Sequence, residues 1–288
     1  MSNDHFPHRL PLLRFELDRQ ELALSTPYTT KEVLENEYKR KDPFATLILA
    51  RCYDTGRYVI RDQKRAEHLY QQARQRLKAY AERQHAHATL YLAQMYHSGQ
   101  GGAVDLLRAN KLFKQAARLL YSQAESDDLH ACRALCWIYH HGMLGQVDLS
   151  LATQYAARAA RLGCRESCLY AAESLIQGRS RLHSPILGAD LLEANAKSGD
   201  PACQYHLGQV YENGVGRTAN YEKAYAWYLL ASARGYTPAI QRRQSLEAQL
   251  SANQIGHIQR EVAAWQPGQD IRLHPPPNGP PHSTSGVY

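Results

Sequence analysis

The chain lacks any run of 18 apolar residues, and this excludes a helix able to cross a bilayer. It has 4 Phe and 3 Trp, too few aromatics of those kinds to fill a single large core, but 19 Tyr. A Tyr packs its ring while its hydroxyl reaches water or a partner, which suits thin, repeated layers. The apolar stretch Leu10 to Leu13 is too short for a signal core and is followed by Arg14 and Glu16. The expected compartment is therefore cytoplasmic, with reduced thiols.

Catalytic signatures are missing as well. Gly99-Gln100-Gly101-Gly102 has no Lys-Ser/Thr after it and is not a phosphate loop. No G-x-S-x-G occurs, and Glu166 and Glu173, seven apart, read as one solvated helix face. The net charge of +7 is spread along the chain. A nucleic-acid binder gathers its basic residues into a patch or run, so none is expected as a partner. No enzyme activity and no cofactor are expected.

Six Cys and 14 His invite a metal reading. Cys132 with Cys136, and Cys164 with Cys168, stand at i,i+4, while His85-x-His87 and His140-His141 are the close histidine pairs. Neither histidine pair has a Cys or carboxylate at ligand spacing, so no metal site is expected. Cys136 and Cys203 fall in slots that other repeats fill with small residues, and Cys52 aligns with Met95, Ile138 and Val210. Buried free Cys behaves as a small hydrophobe. Cys132 and Cys168 are equivalent positions, and equivalent points on stacked helices lie roughly 8–10 Å apart, too far for a disulfide.

What the chain does have is a register. The glycines at 56, 99, 142, 178 and 214 recur at intervals of 43, 43, 36 and 36. Three residues before them stand Tyr53, Tyr96, Tyr139, Leu175 and Tyr211. Eleven before stand Ala45, Ala88, Ala131, Ser167 and Cys203; six before stand Ala50, Ala93, Cys136, Ala172 and Gly208. These are small residues, as close helix approach requires. Six after the glycines stand Asp62, Asp105, Asp148, Ser184 and Asn220, all good helix N-caps. Each unit reads as two amphipathic helices around a turn, and neither helix can bury its stripe alone.

Gly163, Gly199 and Gly235 end the second helix 21 residues after the turn glycine in repeats 3 to 5. Repeats 1 and 2 lack that stop and are seven residues longer, so their second helices are predicted to extend by two turns, about 10 Å. Ala66, Ala109, Ala152 and Ala224 stand ten after the turn glycine but Ala189 eleven after, which predicts one extra residue in the fourth turn.

The fold class is thus all-α, a solenoid of five helix-turn-helix repeats. Residues 1–28 read as an irregular leader and 29–265 as the solenoid, with a capping helix at 29–42, repeats at 43–240 and closing helices at 241–265. Residues 266–288, rich in Pro and Gly, read as a disordered tail.

The fifth unit carries Cys203, Leu207, Gly208, Tyr211, Gly214, Gly216, Lys223, Ala224, Trp227, Tyr228, Ala231 and Gly235. This closely resembles the Sel-one-like repeat, the 36-residue relative of the tetratricopeptide repeat, over residues 43–240. Leu175, the fourth turn and Cys203 depart from the pattern. The resemblance implies a right-handed α-superhelix whose first helices line a concave groove, and a non-catalytic adaptor that holds a protein or peptide partner. A metal- or thiol-dependent module or enzyme using the Cys and His residues is the alternative. If positions eleven, seven and three before each glycine pack inward, the set nine, five and two before shares another face. That set holds Leu47, Arg51 and Asp54; Leu90, Gln94 and His97; Arg133, Trp137 and His140; Leu169, Glu173 and Ile176; and Tyr205, Gln209 and Glu212. From these the expected partner-binding residues are Arg51, Gln94, His97, Arg133, Trp137, His140, Glu173, Tyr205, Gln209 and Glu212. Trp137 is the expected anchor.

Overall fold

The computed structural model describes residues 34–36, 38–271 and 273. The expected leader, the start of the capping helix and most of the tail lie outside the described residues. Twelve helices follow a short helical stretch at 34–36 and 38–39, and the described residues contain no strand. They are α1 (Pro43–Thr55), α2 (Gln63–Glu82), α3 (Ala86–Ser98), α4 (Leu106–Glu125), α5 (Leu129–His140) and α6 (Leu149–Arg161). The second half has α7 (Arg165–Gln177), α8 (Pro185–Lys197), α9 (Pro201–Asn213), α10 (Tyr221–Ala233), α11 (Thr237–Glu247) and α12 (Ala252–Ala264). The contacts divide into two compact units, through Tyr155 and from Ala156, with the division inside α6.

One turn geometry recurs five times. Gly56, Gly99, Gly142, Gly178 and Gly214 all take φ between +65° and +74°, the left-handed conformation that glycine adopts without a Cβ penalty. The cap residue six positions on then donates its backbone N–H to the carbonyl of the residue three before the glycine. The pairs are Asp62 to Tyr53 (2.9 Å), Asp105 to Tyr96 (2.9 Å), Asp148 to Tyr139 (3.0 Å), Ser184 to Leu175 (3.0 Å) and Asn220 to Tyr211 (2.8 Å). The cap side chains accept from the third residue of the helix they open, at 2.9 Å for Asp62, Asp105, Asp148 and Asn220, and at 3.4 Å for Ser184.

Ser184 therefore caps α8 at the same distance from its glycine as its four counterparts, and the fourth turn has no extra residue. The slot that Ala holds elsewhere is taken by Gly188, where a Cβ would meet Ile176 Cγ1 at 2.8 Å and the Ala172 carbonyl oxygen at 3.0 Å. The offset of Ala189 is a substitution at one small site and not an insertion.

The second helices of the first two repeats are longer, as predicted: α2 and α4 have 20 residues, against 13 for α6, α8 and α10. Their ends are made without glycine. Gln84 and Asp127 take φ +60° and +55° at the positions equivalent to Gly163, Gly199 and Gly235.

Within the first unit α1 packs on α2, α2 on α3, α3 on α4 and α4 on α5. Its core holds Leu47, Leu49, Leu77, Leu90, Met95, Phe113, Leu120, Leu135 and Ile138. Within the second unit α7 packs on α8, α8 on α9 and α9 on α10, and α10 is covered by α11 and α12. Tyr225, Trp227 and Tyr228 of α10 are all buried, with Leu246 of α11 and Ile258 of α12. Gly208 makes room for Tyr228, whose Cε1 lies 2.5 Å from where a Cβ would stand.

The buried Tyr rings keep their hydroxyls bonded: Tyr70 donates to Asp54 (3.1 Å), Tyr225 to Glu247 (3.0 Å) and Tyr228 to Glu212 (2.5 Å). The turn Tyr also receives a cation from nine residues after the glycine in three repeats. Arg65 lies over Tyr53 at 4.4 Å, Arg108 over Tyr96 at 4.7 Å and Lys223 over Tyr211 at 5.2 Å.

The expected coreless tail starts too early. After Trp265 the chain turns back on the second unit: the Gly268 N–H donates to the Lys197 carbonyl (2.7 Å), and Asp270 lies 3.6 Å from Lys197 Nζ. Ile271 is buried. One β-branched side chain and one acid are enough to seat residues 266–271, because the last carbonyls of α8 need a donor and Lys197 accepts a second carboxylate.

Candidate functional site

The expected partner-facing residues fall into two groups, one on each unit. On the first unit they lie on α1, α3 and α5. Arg51 is half-buried, with its guanidinium 6.0 Å from the Tyr91 ring centroid. Gln94 is 8% exposed, and its amide nitrogen has no hydrogen-bond partner among the described residues. His97 is exposed, and Trp137 and His140 are half-buried. Leu47, Leu90 and Arg133, nine positions before their glycines, are all buried.

Phe113 of α4 brings His97 and Trp137 to one place, with ring centroids 6.1 Å from His97 and 6.3 Å from Trp137. Trp137 also lies 4.6 Å from the His141 ring, and His140 lies 4.8 Å from His141. His141 Nδ1 is 2.9 Å from the Trp137 carbonyl, which fixes the imidazole against the indole. The result is an aromatic shelf of Trp137 and His141, backed by buried Phe113, with His97 and His140 beside it. Phe113 and His141 were not in the expected set. The sequence signal for Phe113 is its place in the buried stripe of α4 beside Ala109, Ala116 and Ala117.

On the second unit the residues lie on α7 and α9. Glu173 is paired with Arg179 at 2.9 Å. Gln209 donates through Nε2 to the Tyr205 hydroxyl (3.1 Å), and its Oε1 lies 2.9 Å from His206 Nδ1. Glu212 accepts from Tyr228 at 2.5 Å and lies 3.4 Å from Arg242. Tyr205 sits 5.6 Å from Tyr228 and 5.3 Å from Tyr236. Tyr205, Gln209 and Glu212 are thus a connected set, joined by Tyr228, Tyr236 and Arg242 from α10 and beyond. Those three lie outside the first helices and escaped a pattern defined on first helices alone. Burial, aided by Glu212, pushes the Tyr228 phenol well above its ordinary range, so it stays a donor. Burial holds the His206 imidazole below its usual value.

The described residues contain no group of three or more His, Cys, Asp or Glu placed to hold a metal ion, and no helix long and apolar enough to cross a membrane. All six cysteines are buried, and none is in a disulfide.

These features define a repeat protein with polar-aromatic faces. The Sel1 repeat family model matches residues 43–76, 86–119, 129–164 and 201–236, and the chain is a Sel1-repeat α-solenoid protein. The matched segments are the first, second, third and fifth of the register, and the unmatched fourth is the one built around Gly188 and Ser184. Among solved structures, the chain is similar to c5321, described as a protective antigen of uropathogenic Escherichia coli strains displaying an SLR fold. The identity is 22% over 79% of this chain and 54% of that one, with a TM-score of 0.43. It is also similar to a Sel1 repeat protein from Oxalobacter formigenes, at 23% identity over 77% of this chain and 88% of that one, with a TM-score of 0.48. The chain spans about half the length of the first of these. No curated protein matches it.

Proposed function

We propose that the protein is a non-catalytic scaffold that holds a segment of a partner protein on the first-helix face of its first unit. Sel1 repeats generally serve as protein-interaction modules. The observation that carries the reading is the shelf of Trp137 and His141, backed by buried Phe113 and flanked by exposed His97. An indole held rigid by its neighbours presents a large contact area at little entropic cost, which is the usual character of an interaction anchor. The second unit by itself offers Tyr205, Gln209 and Glu212 for polar contacts.

The test is affinity capture from native lysate with wild type, His97→Ala, Trp137→Ala and Lys78→Ala, each checked for helical content. Lys78 is exposed on α2, away from the first-helix face. A partner lost with His97→Ala and Trp137→Ala but kept with Lys78→Ala supports the shelf. A partner that all three variants retain refutes it.

A further inference from the structure

The thiols of Cys168 and Cys203 belong to first helices of consecutive repeats, α7 and α9, which are in contact. Their Sγ atoms are 3.8 Å apart, with the Cys203 thiol donating to the Cys168 sulfur. The Cys168 thiol in turn donates to the Leu191 carbonyl at 3.3 Å. Both residues are fully buried. In the repeat register Cys168 stands ten residues before its glycine and Cys203 eleven, so the two are not equivalent positions. Equivalent positions are kept one helix spacing apart, but a one-residue offset turns the two side chains toward each other across the interface.

We propose that Cys168 and Cys203 are an oxidation site, at which a peroxide joins the first helices of repeats 4 and 5 through a disulfide. A disulfide needs the sulfurs to close from 3.8 Å to about 2.0 Å. Rotation about the two Cα–Cβ bonds, with any adjustment of the helices that the Cα separation requires, has to supply that shift. One sulfur, as thiolate, attacks hydrogen peroxide and becomes a sulfenic acid, and the released hydroxide takes up the thiol proton as water. The second sulfur then displaces hydroxide from the sulfenic sulfur, and that oxygen leaves with the second thiol proton as another water. Two thiols have lost two electrons and two protons, and one peroxide has become two waters.

Surroundings decide the rate. The thiolate is the attacking form, and the hydrogen bond to Cys168 and burial both keep the Cys203 thiol protonated. Oxidation therefore proceeds through local opening of the α7–α9 layer, slowly, and the bond once formed is shielded from reductant. The bond would tie together the helices that carry Glu173, Tyr205, Gln209 and Glu212.

The test uses the full chain. Reduced protein is held with hydrogen peroxide for several hours, denatured, alkylated with N-ethylmaleimide and weighed intact. Six adducts before oxidation should become four after it, and dithiothreitol should restore six. Peptide mapping should join Cys168 to Cys203, and the melting temperature of the oxidised form should rise by roughly 5–10 °C. Cys203→Ala is expected to fold, since Ala holds the equivalent slot in the first three repeats. It should keep all five of its thiols through the same treatment. Six adducts after oxidation overturn the proposal, as does a disulfide mapped to any other pair or a loss of thiol that dithiothreitol does not reverse.

Discussion

The backbone N–H of Asn220 donates to the carbonyl of Tyr211 at 2.8 Å, across the eight residues of a glycine turn. That bond sets where the second helix begins, and the Asn220 side chain then caps it at 2.9 Å. Replacing Asp62, Asp105, Asp148 or Asn220 by Ala keeps the backbone bond and removes the side-chain cap. Each is expected to lower stability by about 1 kcal/mol, read as a shift of the urea midpoint at constant slope.

Gly216 has φ +77°, and a Cβ there would stand 2.2 Å from the carbonyl oxygen of Pro185, a backbone atom of the preceding repeat. Gly216→Ala combines left-handed strain with a backbone clash. It should lose about 2–4 kcal/mol by denaturant titration, far more than Gly235→Ala, where nothing lies within 4 Å and only the strain applies.

Gln84 occupies the left-handed helix stop at φ +60°, a position that Gly holds in later repeats. Gln84→Gly relieves about 1–2 kcal/mol of strain and returns about 0.5–1 kcal/mol in chain entropy. A net gain near 0.5 kcal/mol is expected in thermal melts. An unchanged or lower melting temperature would mean that the Gln84 side chain contributes more than its backbone costs.

His87 is half-buried near His85 and His130, and its desolvation holds its imidazole down at about 4. The unfolded chain binds a proton at this residue from about pH 6.5 downward, and the native state does not until near pH 4. Stability therefore falls as pH drops from 6.5 toward 4, by about 1.5 kcal/mol between 6.5 and 5. His206, also held low by burial, acts in the same direction on the second unit. Urea midpoints at pH 7.5 and 5 should converge in His87→Gln if His87 is the main source.

Ile271 is buried, and the Lys197–Asp270 pair beside it is partly open to solvent, with side-chain exposures of 29% and 56%. Burial should outweigh the ion pair, since exposed pairs contribute about 0–1 kcal/mol. Ile271→Ala is expected to speed hydrogen exchange at the Gly268 amide at least tenfold. Asp270→Asn should change it only a few-fold, and α9 and α10 should be unaffected in both.

The turns and caps were legible because one glycine and one short polar side chain each perform a task few other residues can. The extension of α2 and α4 was legible because the missing stops left a count of seven. The helix stops at Gln84 and Asp127 were not, since a non-glycine residue in the left-handed region leaves no signature in its type. The Ala189 offset misled because a Gly in a small slot resembles an insertion. Cys168 against Cys203 escaped because alignment compares like positions, whereas contacts across a repeat interface join unlike ones. Phe113 beneath Trp137 escaped for the same reason, lying on a second helix.

The seven added residues of α2 and α4 also have a rotational meaning. At 100° per residue they turn the helix by two full revolutions less about 20°. The buried stripe Ala66, Leu69, Tyr70, Ala73, Leu77 and Ala81 therefore runs on along one side of α2 without changing azimuth. Length in these repeats is quantised: a heptad can enter or leave a second helix while the layer stays in phase, whereas a five-residue change would swing the stripe through about 140° into solvent.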